Sequence, residues 1–251
     1  MNSLKHELSN WKIEQKFFYT ESKRRAERLE KHTAVVYIID GAGGSGFTPL
    51  VIRQALAGKP YRVKHFRWGT GYMRIISDLT DRKNMDRKSE ELSSEIALYR
   101  DSNPEMQIYI VAKSAGTAVA LNALARLPEN SVDRVILMSP AVSPSFPLAD
   151  SLHAVKGDVI SFCSAADLLF LHVGTSIFGT ADGVKGVGAG LRGFAKPSSE
   201  SVAHQYSKLH EIHWEPSMIK LMHFGDHSGN SMPLFVNRYI VPLLLGNDVP
   251  H

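Results

Sequence analysis

Ile108-Tyr109-Ile110-Val111-Ala112-Lys113-Ser114-Ala115-Gly116-Thr117-Ala118-Val119-Ala120-Leu121 decides how this chain is read. The first half is β-branched and apolar, as in a strand buried on both faces. The second half is rich in alanine, which suits a helix packed closely on that strand. Between them, Ala112-Lys113-Ser114-Ala115-Gly116 lies one residue from G-x-S-x-G. In that motif a serine occupies a sharp strand-to-helix turn, with its hydroxyl above the sheet edge. The flanking positions are small because the turn brings two backbones together. An ordinary βα connection with a serine N-cap competes with this reading, and the surrounding chain has to decide between them.

At 251 residues, with 43% hydrophobic and 22% charged residues, one α/β domain with a substantial core is expected. The net charge of +4 comes largely from clusters such as Lys23-Arg24-Arg25. These read as a solvated helix face, and no nucleic-acid-binding stripe is expected. One cysteine, Cys163, excludes an intramolecular disulfide and a Cys-rich zinc site. No run of about 18 apolar residues predicts a transmembrane helix, and no apolar signal core occurs in residues 1–30. The expected location is cytoplasmic. Residues 1–32 read as an N-terminal extension, helical over its charged part, and 33–251 as the α/β domain.

Ala34-Val35-Val36-Tyr37-Ile38-Ile39 is a second buried-strand candidate. It runs into Asp40-Gly41-Ala42-Gly43-Gly44-Ser45-Gly46, for which three readings compete. Gly41, Gly43 and Gly46 satisfy G-x-G-x-x-G, a dinucleotide fingerprint. The same loop suits an oxyanion hole, where backbone N–H groups approach a developing charge. It also suits a plain tight turn. The dinucleotide reading needs an acid at the end of the next strand; Tyr61–Phe66 ends instead in Arg67-Trp68, which weakens it.

Further along, Thr48–Leu56 reads as a helix, Gly69–Asn84 as a loop and Met85–Arg100 as an amphipathic helix. Arg134–Met138, Asp158–Cys163 and Met218–Met222 read as the remaining strands, and Met232–Leu245 as the terminal helix. Strands alternating with helices argue for a mostly parallel sheet with helices on both faces. Ligands bind such sheets beyond the carboxyl ends of the strands. Ser114, Asp167 and His227 each follow a different predicted strand, in the chain order Ser, Asp, His.

On these residues the sequence resembles the α/β-hydrolase superfamily. The resemblance covers roughly residues 33–247 and rests on the Asp40–Gly46 loop, the Ala112–Gly116 elbow, Asp167 and Gly225-Asp226-His227. Two departures stand out: Ala112 replaces the first elbow glycine, and two antiparallel opening strands are not evident before Ala34. The resemblance implies Ser114 as nucleophile, His227 as base, Asp167 as its orienting acid, and the Ala42 and Ala115 N–H groups as oxyanion donors. Gly43, Lys113 and Leu168 are the candidate substrate contacts, although Lys113 is expected to be solvated. His223 is the rival base; Asp182 and Asp226 are the rival acids. His172, His204, His210 and His213 lack the spacing of a zinc-binding helix, so no metal and no cofactor is expected.

Residues 168–214 are glycine-rich and read either as a mobile cap lining an acyl pocket or as a surface loop. The short link from Ser139 to Asp158 leaves room for a small cap or none. The expected activity is a serine hydrolase, of carboxylesterase or lipase type, that takes a small-molecule ester or acyl substrate. A catalytically silent binding protein on the same fold is the alternative. A nicotinamide oxidoreductase ranks third, because Tyr206-Ser207-Lys208 lacks a Tyr-x-x-x-Lys spacing.

Overall fold

Six parallel strands form one sheet in the order β2-β1-β3-β4-β5-β6: β1 Ala34–Ile39, β2 Tyr61–Phe66, β3 Gln107–Lys113, β4 Arg134–Met138, β5 Val159–Cys163 and β6 Leu209–His213. The structure is a computed structural model. It describes residues 32–167, 180–184, 186–197 and 200–249. The N-terminal extension, apart from residue 32, lies outside the described residues, as do Leu168 and His172.

Successive residues of a strand point to opposite faces, so each buried strand contributes to two cores. Val35, Tyr37 and Ile39 of β1 join Ile108, Ile110 and Ala112 of β3 in one core. There they meet helices α3 (Arg82–Ser102), α4 (Gly116–Leu124) and α5 (Ala149–His153). Ala34, Val36 and Ile38 join Tyr109 and Val111 in the other core, against α1 (Phe47–Ala55) and the C-terminal helix. Burial on both faces explains the apolar runs of β1, β3 and β4 and the largely apolar β5.

The described sheet is parallel throughout, with helices on both faces, as the alternation of elements predicts. Four local readings change. The last strand is not Met218–Met222 but Leu209–His213, paired with β5 from Val159–Leu209 to Cys163–His213. As an edge strand it is half-exposed, and its Leu-His-Glu-Ile-His sequence carries little apolar signal. Residues 216–221 form a 3₁₀ helix that Pro216 opens, and only Met218 in it is buried. Pro216 has a fixed φ and no N–H to give a sheet, which favours a helical start.

The stretch read as a loop contains α2 (Ile75–Thr80) and the first turn of α3. Asp81 caps α3 by accepting a bond from the Asn84 N–H at 3.0 Å, a usual N-cap contact. The terminal helix runs through Pro233–Phe235, a π-helical turn at Val236–Ile240 and Val241–Leu244. Pro242 lacks the N–H an α-turn needs, and its ring crowds the carbonyl four residues earlier, which accounts for the widened turn.

Part of the glycine-rich segment also packs down. Helix α6 (Ala189–Arg192) sits against the β4 exit, with the Ala189 N–H on Val142 O and the Gly190 N–H on Pro140 O, both at 2.7 Å. After α7 (Glu200–Tyr206) the chain enters β6.

Candidate active site

The strand order reverses direction at β1, whose neighbours are β2 and β3. At such a switch point the loops leaving adjacent strands diverge and leave a crevice at the carboxyl edge. The Asp40–Gly46 loop leaves β1 there, and Ser114 leaves β3.

Ser114 has φ 50°, in the left-handed region. Such backbone costs a side-chain-bearing residue on the order of 1–2 kcal/mol. Neighbouring bonds hold it: the Ser114 N–H donates to Met138 O at 3.0 Å, and Ser114 O accepts from the Thr117 N–H at 3.0 Å and from Thr117 Oγ1 at 2.5 Å. Gly116 is needed for the approach of two backbones, since a Cβ there would stand 2.3 Å from Asp40 O. Ala112 is fully buried, so the small side chain at the first elbow position packs rather than clashes. A Cβ at Gly41 would lie 3.2 Å from Ser114 Cβ and 3.8 Å from its Oγ, which puts the loop directly beside the serine.

Two buried carboxylates set the loop. Asp40 accepts from the Gly41 N–H at 2.9 Å and the Gly46 N–H at 2.8 Å. Those donors are therefore not free to cradle a pyrophosphate, which counts against the dinucleotide reading. Asp78, fully buried, accepts from the Gly43 N–H at 2.8 Å, the Thr70 N–H at 2.6 Å and Thr70 Oγ1 at 2.8 Å. Gly43 thus has its N–H committed and serves as the point where the loop is clamped. Its φ of 79° favours glycine there. Neither the Ala42 nor the Ala115 N–H has an acceptor among the described residues. Asp78 escaped the sequence reading because its stretch carries no motif; a helix beginning near Ile75 was the one signal that could have placed it.

On the other side of Ser114, the turn after β5 carries Asp167 and the loop after β6 carries His227. His227 Nδ1 donates to Asp167 Oδ2 at 2.7 Å, with 12% of the histidine and 1% of the aspartate side chain exposed. Asp167 Oδ1 has no partner among the described residues.

The rivals are otherwise engaged. His223 is buried, takes the Gly225 N–H on Nδ1 at 3.2 Å and stands edge-on to Phe235. Burial pushes its pKa down to about 4, leaving it neutral. Asp182 receives the Ser143 N–H at 2.8 Å and Ser143 Oγ at 2.5 Å. Asp226 is exposed and accepts from the Ser228 N–H at 3.1 Å. His210 faces Asp158 at 3.1 Å.

Lys113 is not solvated, and its amine does not line the opening. It is buried, and Nζ donates to His227 O at 2.9 Å, Asn230 Oδ1 at 3.0 Å and Ser231 Oγ at 2.6 Å. Alternation along β3 explains the difference: Ser114 turns into the crevice, while Lys113 points under the histidine loop. Leu168, the third candidate substrate contact, lies outside the described residues. Among the described residues no group of three or more His, Cys, Asp or Glu is placed to hold a metal ion. None of their helices is long and apolar enough to cross a membrane.

The architecture matches solved structures. A predicted CIB-like hydrolase of Thermoplasma acidophilum matches at 15% identity over 85% of this chain and 87% of that one, with TM-score 0.50. The poly(3-hydroxybutyrate) depolymerase LpqC of Bordetella parapertussis matches at 12% over 88% and 81%, TM-score 0.48. A cutinase of Trichoderma reesei matches at 14% over 81% and 76%, TM-score 0.39. No family model and no curated protein matches by sequence. The chain has the α/β-hydrolase fold.

Proposed function

We propose that the protein is a serine hydrolase that cleaves a carboxylic ester or related acyl bond through Ser114, His227 and Asp167. One observation carries this reading. A serine strained into the left-handed region at a strand-to-helix turn shares the carboxyl edge of the sheet with a part-buried, 2.7 Å His–Asp pair. Backbone strain of this kind persists where the surroundings over-determine it, and it clusters at functional sites.

The chemistry follows from the groups. A serine hydroxyl is a weak nucleophile until a base takes its proton. His227 Nε2 takes it as Ser114 Oγ attacks the carbonyl carbon, and Asp167 holds the imidazole with Nδ1 protonated and stabilises the imidazolium. The tetrahedral oxyanion accepts from the Ala42 and Ala115 N–H groups, each contributing about 3 kcal/mol in the transition state. The N-terminus of α4 adds its positive end. Collapse of the intermediate expels the alcohol, which takes the proton from His227 and leaves an acyl-serine. Water then repeats the sequence and releases the acid.

Exposed apolar side chains on the segments that carry or brace the site loops support an apolar acyl or alcohol group. Met73 donates its N–H to Gly43 O at 3.0 Å and is 67% exposed, and Phe224 on the histidine loop is 63% exposed. No large helical cap separates β4 from β5, which favours an open site.

The test is labelling with a fluorophosphonate and mapping of the modified peptide, with Ser114→Ala and His227→Ala in parallel. Label on Ser114 that is lost in both variants supports the reading. Folded wild-type protein that takes no label refutes it and leaves a binding role on this fold. Label that survives His227→Ala removes His227 as the base.

A further inference from the structure

We propose that Lys113 is a positioning residue whose buried ammonium ties the loop carrying His227 to the end of β3, and so sets the base against the adjacent serine. The inference rests on the serine hydrolase reading for its catalytic consequence; the tether itself rests on geometry alone.

An ammonium has three N–H donors and no acceptor. Lys113 Nζ has three acceptors within 3.0 Å, all from residues 227–231: His227 O, Asn230 Oδ1 and Ser231 Oγ. The first belongs to the histidine itself. The other two lie in the 3₁₀ turn Gly229–Ser231 that follows it. That turn is anchored twice more. Asn230 Nδ2 donates to Ser139 Oγ at 2.8 Å at the exit of β4, and Ser231 Oγ bonds Thr48 Oγ1 of α1 at 3.0 Å. Lys113 is thus the hub that joins the ends of β3 and β4, α1 and the histidine loop. Because Ser114 is the next residue, any movement of the lysine relative to its acceptors changes the spacing of nucleophile and base.

The hub can release within an accessible pH range. Burial lowers the Lys113 pKa to about 8, against the opposing fields of Asp40 on the β1 loop, Asp167 on the β5 turn and Asp226 on the histidine loop. His223, the other titratable group that senses Lys113, is neutral at that pH. A neutral amine keeps two N–H donors for three acceptors, so at least one tie is lost.

The sign of the stability effect differs from that of the activity effect. Between pH 8 and the ordinary lysine value of 10.5 the unfolded chain holds a proton that the folded chain has released. On Lys113's account the fold therefore gains stability as pH rises through that window. Activity falls in the same window because the loop is released. An alkaline loss of kcat with no matching loss of stability therefore separates release of the loop from unfolding.

Two variants and two readouts test the proposal. Lys113→Met keeps the apolar stem and removes the donors; Ser231→Ala removes the shortest tie. Lys113→Met is expected to lower kcat about 10- to 100-fold, as for a displaced catalytic group, with KM little changed. Wild-type kcat is expected to fall above pH 8. That alkaline limb disappears in Lys113→Met and moves to lower pH in Ser231→Ala, where the charged amine is less well held. Hydrogen exchange at pH 7 is expected to show lost protection over 223–232 in Lys113→Met, with β3 and β4 unchanged. The wild type shows the same loss above pH 8 after correction for base-catalysed exchange. Unchanged protection over 223–232 in Lys113→Met overturns the tether, and so does a wild-type-like kcat and pH profile in a variant whose Ser114 still takes the fluorophosphonate label. Loss of protection in a protein whose wild-type Ser114 never labels supports the tether and rejects the hydrolase reading instead.

Discussion

Gly43 and Asp78 are 35 residues apart in sequence, and the glycine N–H donates to the buried carboxylate at 2.8 Å. This bond, with the two from Thr70, makes the segment after β2 a brace for the loop after β1. It takes the Gly43 N–H out of use and leaves that of Ala42 as the neighbouring donor. Asp78→Ala strands the buried Gly43 N–H, at a cost of roughly 1–3 kcal/mol, and leaves the exposed Thr70 N–H to water. The expected result is a clear fall in Tm together with a kcat loss of about tenfold or more from displacement of the Ala42 donor. Thermal unfolding and steady-state kinetics measured on the same preparation check it; unchanged kcat would mean that the loop keeps its shape without the brace.

The approach of Gly116 to Asp40 O leaves no space for a methyl group, and the obstacle is backbone rather than a flexible side chain. Gly116→Ala is expected to destabilise the fold by about 1–3 kcal/mol and to abolish labelling of Ser114. Chemical denaturation and probe labelling read the two effects. A variant with wild-type stability would show that the two backbones separate freely.

Asp167→Asn tests the acid without deleting its bulk. An amide that offers its NH₂ to the ring favours the wrong imidazole tautomer, and the expected loss in kcat is on the order of 10⁴-fold. The side chain keeps its shape, so the change in Tm should be small. A loss below tenfold in a folded variant would remove Asp167 from the site.

His223 predicts an acid limb in stability. Its folded pKa of about 4 lies below the ordinary 6.5, so between those values the unfolded chain binds the extra proton. The contribution of neutral His223 is complete above pH 6.5 and is lost as pH falls towards 4, by roughly 3 kcal/mol over the whole window. His223→Phe removes the titrating group and keeps the aromatic contact with Phe235, at the cost of the acceptor for Gly225. Unfolding free energies from pH 4 to 7 should slope less in the variant; parallel slopes would assign the acid limb to other groups.

Lengthening the acyl chain of a p-nitrophenyl ester series is expected to raise kcat/KM until the exposed apolar side chains on the segments that carry or brace the site loops are covered, at about 0.8 kcal/mol for each CH₂ buried. A flat or falling series would assign Met73 and Phe224 no part in substrate binding.

The sequence reading succeeded where one residue type met one environment. Strands β1, β3, β4 and β5 are buried on both faces, so their runs are almost wholly apolar and their ends are marked by small or polar turn residues. Ser114 and Asp167 follow the ends of two of these strands, whereas His227 is read after Met218–Met222, which is a 3₁₀ helix, and is carried instead by the loop after β6. The reading failed where burial was partial. Strand β6, on the sheet edge, has only Leu209 and Ile212 as apolar residues and reads as loop, while Met218–Met222 is mostly apolar without being a strand. Only pairing with β5 distinguishes the two, and pairing is a long-range property.

By itself, the sequence determined the class of fold and the strand-to-helix turn at Ser114, and it named the residues proposed as base and acid, because these depend on local periodicity and on residue chemistry. The tertiary structure alone decided which donors the glycine loop keeps free, that Asp78 braces it, that His227 and Asp167 are hydrogen-bonded, and that Lys113 turns inward beneath the histidine loop. Each of these depends on which distant groups share a buried space, where an unmet hydrogen bond is costly and a nearby charge is poorly screened.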